Sequence, residues 1–486
     1  MQAVIQLARS AGAFFSGTLL SRLSGFGRDL IMAICFGASP AVAAFMVAFR
    51  FANLARRLLG EAPLASSFIP HYEALRIVAP EKALRFFADF MLSLSLVLIL
   101  LIIPTMLLLP KTPICDLTRC MLPGLFFICL FGLSTAFLHC EKKFFLPSIA
   151  PMAFNIVWIA AILILRHSSA QSAMKLLAIS VVFAFALQWV ISFIPIMRKL
   201  TWTHIKNARP FSPTVRTVLA PFALGILGVG ASQINNALDA LFARAATLEG
   251  PAYLWYAIRM QQLPLVLFGM AWSSALLPAL TKATPDEKPT LLQYAIDKCA
   301  FFLIPVTFAL LPCASAGVNL LFHHGSFTAQ ATTQTTYCLW AYGLGLFPSA
   351  LVMILAAHYY AEKDFKTPSI AALTSVLINI TLNALLVYTF RLGAASIALA
   401  TSLSQIGNAY ILLRPLSIRL HLNKILFASA LAAFIACLFY PDSILLATDF
   451  PQTIFKQFTS LLLPFTAFCV FFALPYRKPL LALLKK

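Results

Sequence analysis

EKKFFLPSIA, Glu141 to Ala150, returns in the second half of the chain as EKDFKTPSIA, Glu362 to Ala371, with seven of ten positions identical. Each copy follows one long apolar stretch and opens another. A second, weaker pair sets Arg50, Leu54, Gly60 and Ala62 against Arg259, Leu263, Gly269 and Ala271, at a slightly shorter spacing. One small insertion reconciles the two spacings. Pro-Ser after basic residues is ordinary where helices begin. Seven identities at equivalent places along the chain nevertheless point to a duplicated unit.

The duplicated unit is apolar. The chain is 61% hydrophobic and 11% charged, with a mean hydropathy of +0.88, more apolar surface than a water-soluble core absorbs. Unbroken stretches of about 18–25 apolar residues recur throughout, each long enough to cross the hydrocarbon. They favour helices over the short alternating strands of a β-barrel. The first stretch is too long and too charged for a cleavable leader. No polar stretch is long enough for a sizeable soluble domain.

A hydrophobic window places about fourteen helices, at 11–36, 41–70, 86–110, 121–140, 147–166, 173–197, 217–247, 251–280, 291–322, 334–361, 367–390, 393–415, 423–440 and 454–475. With a cytoplasmic N-terminus, 23 of the 36 basic residues fall on the inside and 7 on the outside. That bias obeys the positive-inside rule and puts both ends in the cytoplasm. Much of the +20 net charge is therefore topology signal rather than a nucleic-acid footprint.

Six helices repeated in one orientation make two bundles related by an axis along the membrane normal, an architecture of transporters that hold substrate between the halves. The predicted fold is an all-α polytopic membrane protein. It has an N-lobe at 1–210, a C-lobe at 211–420, and two extra helices at 421–486 outside the repeat.

The remaining six basic residues are arginines inside the spans: Arg22, Arg28, Arg50, Arg56, Arg57 and Arg259. SRLSGFGRD, Ser21 to Asp29, alone carries two of them and an aspartate. An arginine at the centre of a membrane helix costs about 2.5–3.5 kcal/mol on insertion scales. Arg50 or Arg57 could snorkel to an interface, and Arg28 could be neutralised by Asp29. As a group they have few acidic partners: Asp29, Glu61, Asp89, Asp239 and Asp297. They predict a cationic, water-filled cavity. Guanidinium forks match phosphate oxygens with paired charge-assisted hydrogen bonds, so the cavity selects an anion, and a diphosphate fits best.

No Walker A, GxSxG or HExxH sequence is present, nor an aspartate-rich loop for Mg²⁺. His323 and His324 read as turn residues. Most of the ten cysteines lie in apolar segments as small hydrophobes. Cys115 and Cys120 share one short predicted loop and could pair in an oxidising compartment. An enzyme is the weaker class.

The stretch Ser21 to Tyr72 resembles the N-terminal signature of the MurJ (MviN) family of lipid II flippases, within the MATE-like (MOP) transporter superfamily. The matching residues are SRLSGFGRD, FGA at Phe36 to Ala38, AFMVAFRFANLARRLLGE from Ala44 to Glu61, and SFIP at Ser67 to Pro70. YAIRMQQLP, Tyr256 to Pro264, is similar to the family's helix 8 motif. The resemblance implies a flippase that moves the undecaprenyl-diphosphate disaccharide-pentapeptide of peptidoglycan from the cytoplasmic to the outer leaflet by alternating access. It implies two six-helix lobes, with helices 13 and 14 forming a lipid-tail groove, in the bacterial inner membrane.

The same resemblance places the family's cavity arginines on Arg22, Arg28, Arg56 and Arg259, with Ser21, Arg57 and Glu61 beside them as substrate-binding residues. It implies coupling to membrane potential or to Na⁺, with Asp239, Asn379, Asn383 and Thr401 as the nearest ligands, and no other cofactor. Buried Asn and Thr also serve as hydrogen-bond formers between helices. Partners would be lipid II, membrane lipids and other cell-wall synthesis proteins, with no nucleic acid, and a monomer could suffice. The chain departs from the family pattern at Ala43, Ala52 and Glu61-Ala62-Pro63. The last two departures move the predicted helix break to Pro63. Other readings are a flippase for another prenyl-diphosphate glycan, a multidrug exporter of the same superfamily, a lipid-phosphate enzyme, and a non-transporting scaffold.

Overall fold

The computed structural model describes residues 2–60, 62–416, 418, 420, 422–441 and 453–484, with side chains described outside 2–15, 62, 227–229, 231 and 477–484. Its helices are α1 Gln2–Phe36, α2 Pro40–Leu59, α3 Ala62–Val78, α4 Pro80–Leu108, α5 Pro113–Cys140, α6 Phe145–Leu165, α7 Ala170–Met197, α8 Trp202–Lys206, α9 Pro213–Ala246, α10 Gly250–Pro264, α11 Ala271–Lys282, α12 Glu287–Phe322, α13 Ala329–Leu344, α14 Leu346–Ala361, α15 Lys366–Ala384, α16 Ala395–Leu413, α17 Asn423–Phe439 and α18 Ile454–Leu484. Residues Leu265–Met270 and Leu385–Thr389 form π-helical turns. No strand occurs among the described residues, so the all-α reading holds.

The chain is a multi-pass membrane protein. Ten of the described helical spans are long and apolar enough to cross a membrane, counting α10–α11 and α13–α14 as one span each. Pro213–Ile226 and Asn423–Phe439 are shorter apolar helices. Helix starts follow local chemistry. Ser39, Thr112, Ser169 and Thr328 each accept a backbone N–H of the first turn, at 3.2–3.4 Å. A cap of this kind contributes about 1 kcal/mol and meets a donor that lipid cannot.

Two compact units emerge, Met1–Ala237 and Leu238–Lys486. In the first, α4 packs on α5, while α5 and α6 pack on α7 and α1 lies along α6. In the second, α12 packs on α13, while α13, α14 and α15 pack on α16. Helices α17 and α18 pack on each other and on α12, with Ala432, Ala433, Ala436 and Phe468 buried against Phe308 and Phe472.

The duplication is visible atom by atom. At the end of α5, Glu141 N–H donates to Phe137 O, Lys142 N–H to His139 O and Lys143 N–H to Leu138 O. At the end of α14, Glu362 donates to His358 O, Lys363 to Tyr360 O and Asp364 to Tyr359 O. These are the same three bonds in the register that sets Glu141 on Glu362. Lys142 and Lys363 take the left-handed conformation, φ 57° and 60°, which ends a helix by turning its last carbonyls onto the following amides. His139 lies on Phe144 at 5.2 Å, and Tyr360 on Phe365 at 5.7 Å.

The weaker sequence match is equally real. Gly60 meets α5 at Cys129, whose Cα would lie 3.0 Å from an added Cβ. Gly269 meets α14 at Ala350, the counterpart of Cys129 in the same register, with the Cα 3.3 Å from an added Cβ. Opposite Gly60, a Cβ on Gly132 would sit 1.6 Å from the Gly60 carbonyl oxygen. Only glycine permits that approach.

Three local expectations are corrected. The second predicted helix breaks at Gly60, between α2 and α3, and not at Pro63. Pro63 falls in the first turn of α3, where a missing N–H costs nothing. Cys115 and Cys120 lie within α5 rather than in a loop. Both are free, and their spacing along the helix separates them by about 7.5 Å of rise alone, too far for a disulfide. The short helix α8 has no counterpart among the predicted segments.

Candidate functional site

In the first unit, SRLSGFGRD lies within α1 and turns its polar atoms toward α6. Arg28 is 7% exposed and Asp29 2%. Arg28 Nε and Nη2 donate to Asp29 Oδ1 at 3.0 and 2.7 Å, and Nη1 donates to Asn155 Oδ1 at 3.1 Å. Asn155 Nδ2 donates in turn to Ser21 O at 3.1 Å and to Ser24 Oγ at 2.9 Å. Below the guanidinium lies the Trp158 ring, 4.5 Å from centroid to Cζ. Phe45, Phe49 and Phe154 brace that ring at 4.8–5.5 Å.

Arg28 is therefore held on three sides by a carboxylate, an amide and an indole face. A buried charge is costly unless it is paired and hydrogen-bonded, and this setting supplies both, with an aromatic face besides. A guanidinium has five N–H groups. The bonds given use three nitrogens once each, which leaves one N–H on each terminal nitrogen for another acceptor.

The other arginines of this unit are arranged differently. Arg22 is exposed. Arg56 is partly buried, and its Nε donates to Asn53 Oδ1 at 3.0 Å. Arg57 is exposed, and its Nη1 donates to Gln233 Oε1 at 3.0 Å, while Arg50 Nη1 donates to Asn236 O at 3.2 Å. Both contacts tie α2 to α9. The Ser21 carbonyl joins the Asn155 network, whereas Glu61 lies outside the described residues.

In the second unit, Arg259 on α10 is partly buried and lies over the Trp255 ring at 4.3 Å. The four predicted cation ligands come together from three helices. Asn383 Nδ2 donates to Asp239 Oδ1 at 2.7 Å and to Asn379 Oδ1 at 2.8 Å. Thr401 Oγ1 contacts Asp239 Oδ2 at 3.3 Å and Asn379 Nδ2 at 3.3 Å. Asp239 is 4% exposed, and Asn379 and Asn383 are fully buried. The π-helical turn of α15 begins just after Asn383. These donors are all oxygen with one formal negative charge, which suits a hard monovalent cation. Among the described residues no cluster of three or more His, Cys, Asp or Glu could hold a metal.

Asn155 and Trp158 were missed by sequence reasoning. One signal was available: in the register that sets Glu141 on Glu362, their counterparts are Val376 and Asn379. The repeat changes character where the two units use it differently.

The fold resembles that of an inward-facing MATE-family multidrug resistance transporter of the MOP superfamily, with a TM-score of 0.62 at 16% identity, covering 82% of this chain and 96% of that one. A lipid II flippase MurJ in an inward closed conformation superposes with a TM-score of 0.79 at 25% identity, covering 96% and 99%. The architecture is that of a MATE-like transporter. Residues 32–466 match the family described as lipid II flippase MurJ. A probable lipid II flippase MurJ of Chlamydia trachomatis is 33% identical over 82% of this chain and 77% of its own length. The lipid II flippase MurJ of Burkholderia cenocepacia is 29% identical, covering 74% and 75%. The chain belongs to the MurJ family of lipid II flippases, a family of transporters and not of enzymes.

Proposed function

We propose that this protein carries lipid II from the cytoplasmic to the outer leaflet of a bacterial inner membrane. The observation that carries the reading is the family match over residues 32–466. Arg28 gives it chemistry: a buried guanidinium, oriented in advance, with two N–H groups to spare. Preorganised donors bind a diphosphate without the cost of ordering them.

In this reading Arg22, Arg28 and Arg56, with Ser21, Arg57 and Glu61 nearby, and Arg259 bind the diphosphate in a cationic central cavity worked by alternating access. The N-lobe is residues 1–210, the C-lobe 211–420, and 421–486 guides the lipid tail. Fourteen crossings follow if α1, the α2–α3 pair and the two shorter apolar helices join the ten long spans. The Lys/Arg bias then places both termini in the cytoplasm. Asp239, Asn379, Asn383 and Thr401 would hold Na⁺, which supplies a coupling charge when bound, alongside membrane potential. A monomer suffices, with other cell-wall synthesis proteins as partners.

The test is lipid II exposure at the outer face of cells depleted of their own flippase. The chain is expressed alongside Arg22→Ala, Arg28→Ala and Arg259→Ala variants at matched membrane levels. Restored exposure with wild type, and loss with the variants, supports the reading. Inserted wild type that leaves lipid II inside removes the substrate assignment. Variants equal to wild type make the arginines structural.

A further inference from the structure

Helix α8 and the segment after it lie against the flank of α4. Asp89 on α4, 5% exposed, accepts the Arg209 backbone N–H at 2.8 Å. Ser93, 4% exposed, accepts the Phe211 N–H at 2.8 Å and donates to Asp89 O at 2.7 Å. Within α8, His204 Nε2 meets Glu81 Oε2 at 2.8 Å. A helix this short has little stability of its own, so these contacts set its place.

Between the two elements lies a crevice of about 120 Å³, lined by Ala88, Met91, Leu92, Ser95, Ile205 and Ala208. Five of the six are apolar. The sixth, Ser95, spends its hydroxyl on Met91 O at 2.7 Å. Three basic residues neighbour the lining residues along the chain. Arg85 lies one turn before Ala88 and Asp89 on α4, and Lys206 and Arg209 flank the lining residues Ile205 and Ala208. All three are exposed, and no side-chain hydrogen bond or ion pair engages them among the described residues. The two nearby carboxylates are already committed, Glu81 to His204 and Asp89 to the Arg209 amide. Trp202, 75% exposed at the start of α8, has the amphipathic ring found at membrane–water interfaces.

We propose that this crevice binds one anionic phospholipid of the surrounding leaflet, the cytoplasmic one in the orientation given above. Its phosphate rests on Arg85, Lys206 and Arg209, and part of one acyl chain fills the space between α4 and α8. Charge complementarity selects the occupant. A zwitterionic lipid offers the same chain but no net charge to three uncommitted cations.

Native mass spectrometry of the purified protein loaded with phosphatidylglycerol or phosphatidylcholine tests this without any transport readout, so failure of the flippase reading leaves it standing. Wild type should retain one phosphatidylglycerol under activation that strips phosphatidylcholine. Arg85→Ala with Lys206→Ala and Arg209→Ala should lower retention more than about tenfold, since each cation contributes about fivefold near an anionic headgroup. Ala208→Leu, which fills the crevice from the segment after α8, should lower it with the charges intact. Lys142→Ala with Lys143→Ala should leave it unchanged. Equal retention of the two lipids, retention by the triple variant, or displacement by millimolar inorganic phosphate would overturn the proposal.

Discussion

Trp158 and Asn379 are the same position of the repeat, one in each copy. In the first unit that position places an indole face 4.5 Å from the Arg28 guanidinium. In the second it places an amide oxygen on the Asn383–Asp239 network. One scaffold has been fitted twice around charge, once with a cation built into the chain and once with a set of oxygens.

Asn155 fixes one terminal nitrogen of Arg28. Replacing Asn155 with leucine keeps the branched shape and removes three hydrogen bonds. Stability should fall by about 1–3 kcal/mol, because a buried guanidinium nitrogen loses its acceptor, and lipid II export should fall with it. Trp158→Phe keeps a ring of weaker cation–π strength and should fall less. Unfolding in detergent, paired with the exposure assay, separates the two effects. An Asn155→Leu variant as stable and active as wild type would show that Arg28 is held by Asp29 and Trp158 alone.

The two glycine environments make opposite predictions. Gly132→Ala drives a methyl group into the Gly60 carbonyl. No rotamer relieves a backbone clash, so it should destabilise by about 1–3 kcal/mol or more. Gly27, within SRLSGFGRD, has nothing within 4 Å of an added Cβ. Gly27→Ala should hold or raise stability by up to about 1 kcal/mol through helix propensity. Melting temperatures of both variants in one detergent check this. A stable Gly27→Ala protein with impaired export would mean that the open space beside Gly27 is used by substrate.

Much of this was legible because membrane helices obey few rules. Span length and Lys/Arg bias marked the segments, and EKKFFLPSIA against EKDFKTPSIA marked the duplication. The arginines stood out because charge in an apolar run is costly. Asp239, Asn379, Asn383 and Thr401, drawn from three helices, do meet. What stayed hidden depends on tertiary contact. Asn155 is one polar residue in an apolar helix, and nothing local says that it faces Arg28. The break at Gly60 is decided by its crossing with Cys129 and Gly132 rather than by Pro63. Helix α8 is too short for any window, and buried Asp89 and Ser93 hold its C-terminal side in place.

At the duplicated cap, Asp364 accepts from the Lys366 and Thr367 amides at 2.9 and 3.0 Å and from the Thr367 hydroxyl at 2.6 Å. The Thr367 side-chain and backbone bonds hold its carboxyl below the usual carboxylate range. A depressed pKa contributes stability above the unfolded value, and that contribution is lost as pH falls through the folded value. Asp364→Asn should therefore melt below wild type at pH 7, with the gap closing as pH drops below about 4. The effect is small because the group is exposed. Melting curves from about pH 7 to 2, a range that runs through the ordinary carboxylate titration and below it, decide it, and a gap that is constant with pH would assign the cap to geometry instead of charge.

The oxygen cluster of the second unit makes the sharpest claim about ions. If Asp239, Asn379, Asn383 and Thr401 hold Na⁺, then Na⁺ should raise the melting temperature of the purified protein over K⁺ at equal ionic strength. A ligand at about 100 times its dissociation constant adds about 2.7 kcal/mol. Asp239→Asn removes the only formal charge of the four and should abolish the Na⁺-dependent rise. Thr401→Val, which keeps shape and loses one oxygen, should weaken it. Neither measurement requires transport, so the ion site can be judged apart from the flippase reading. If wild type melts identically in Na⁺ and K⁺, the four residues are a hydrogen-bond lock between α9, α15 and α16. Asp239→Asn would then still destabilise, because the Asn383 amide would lose a charged acceptor, but by the same amount in either salt.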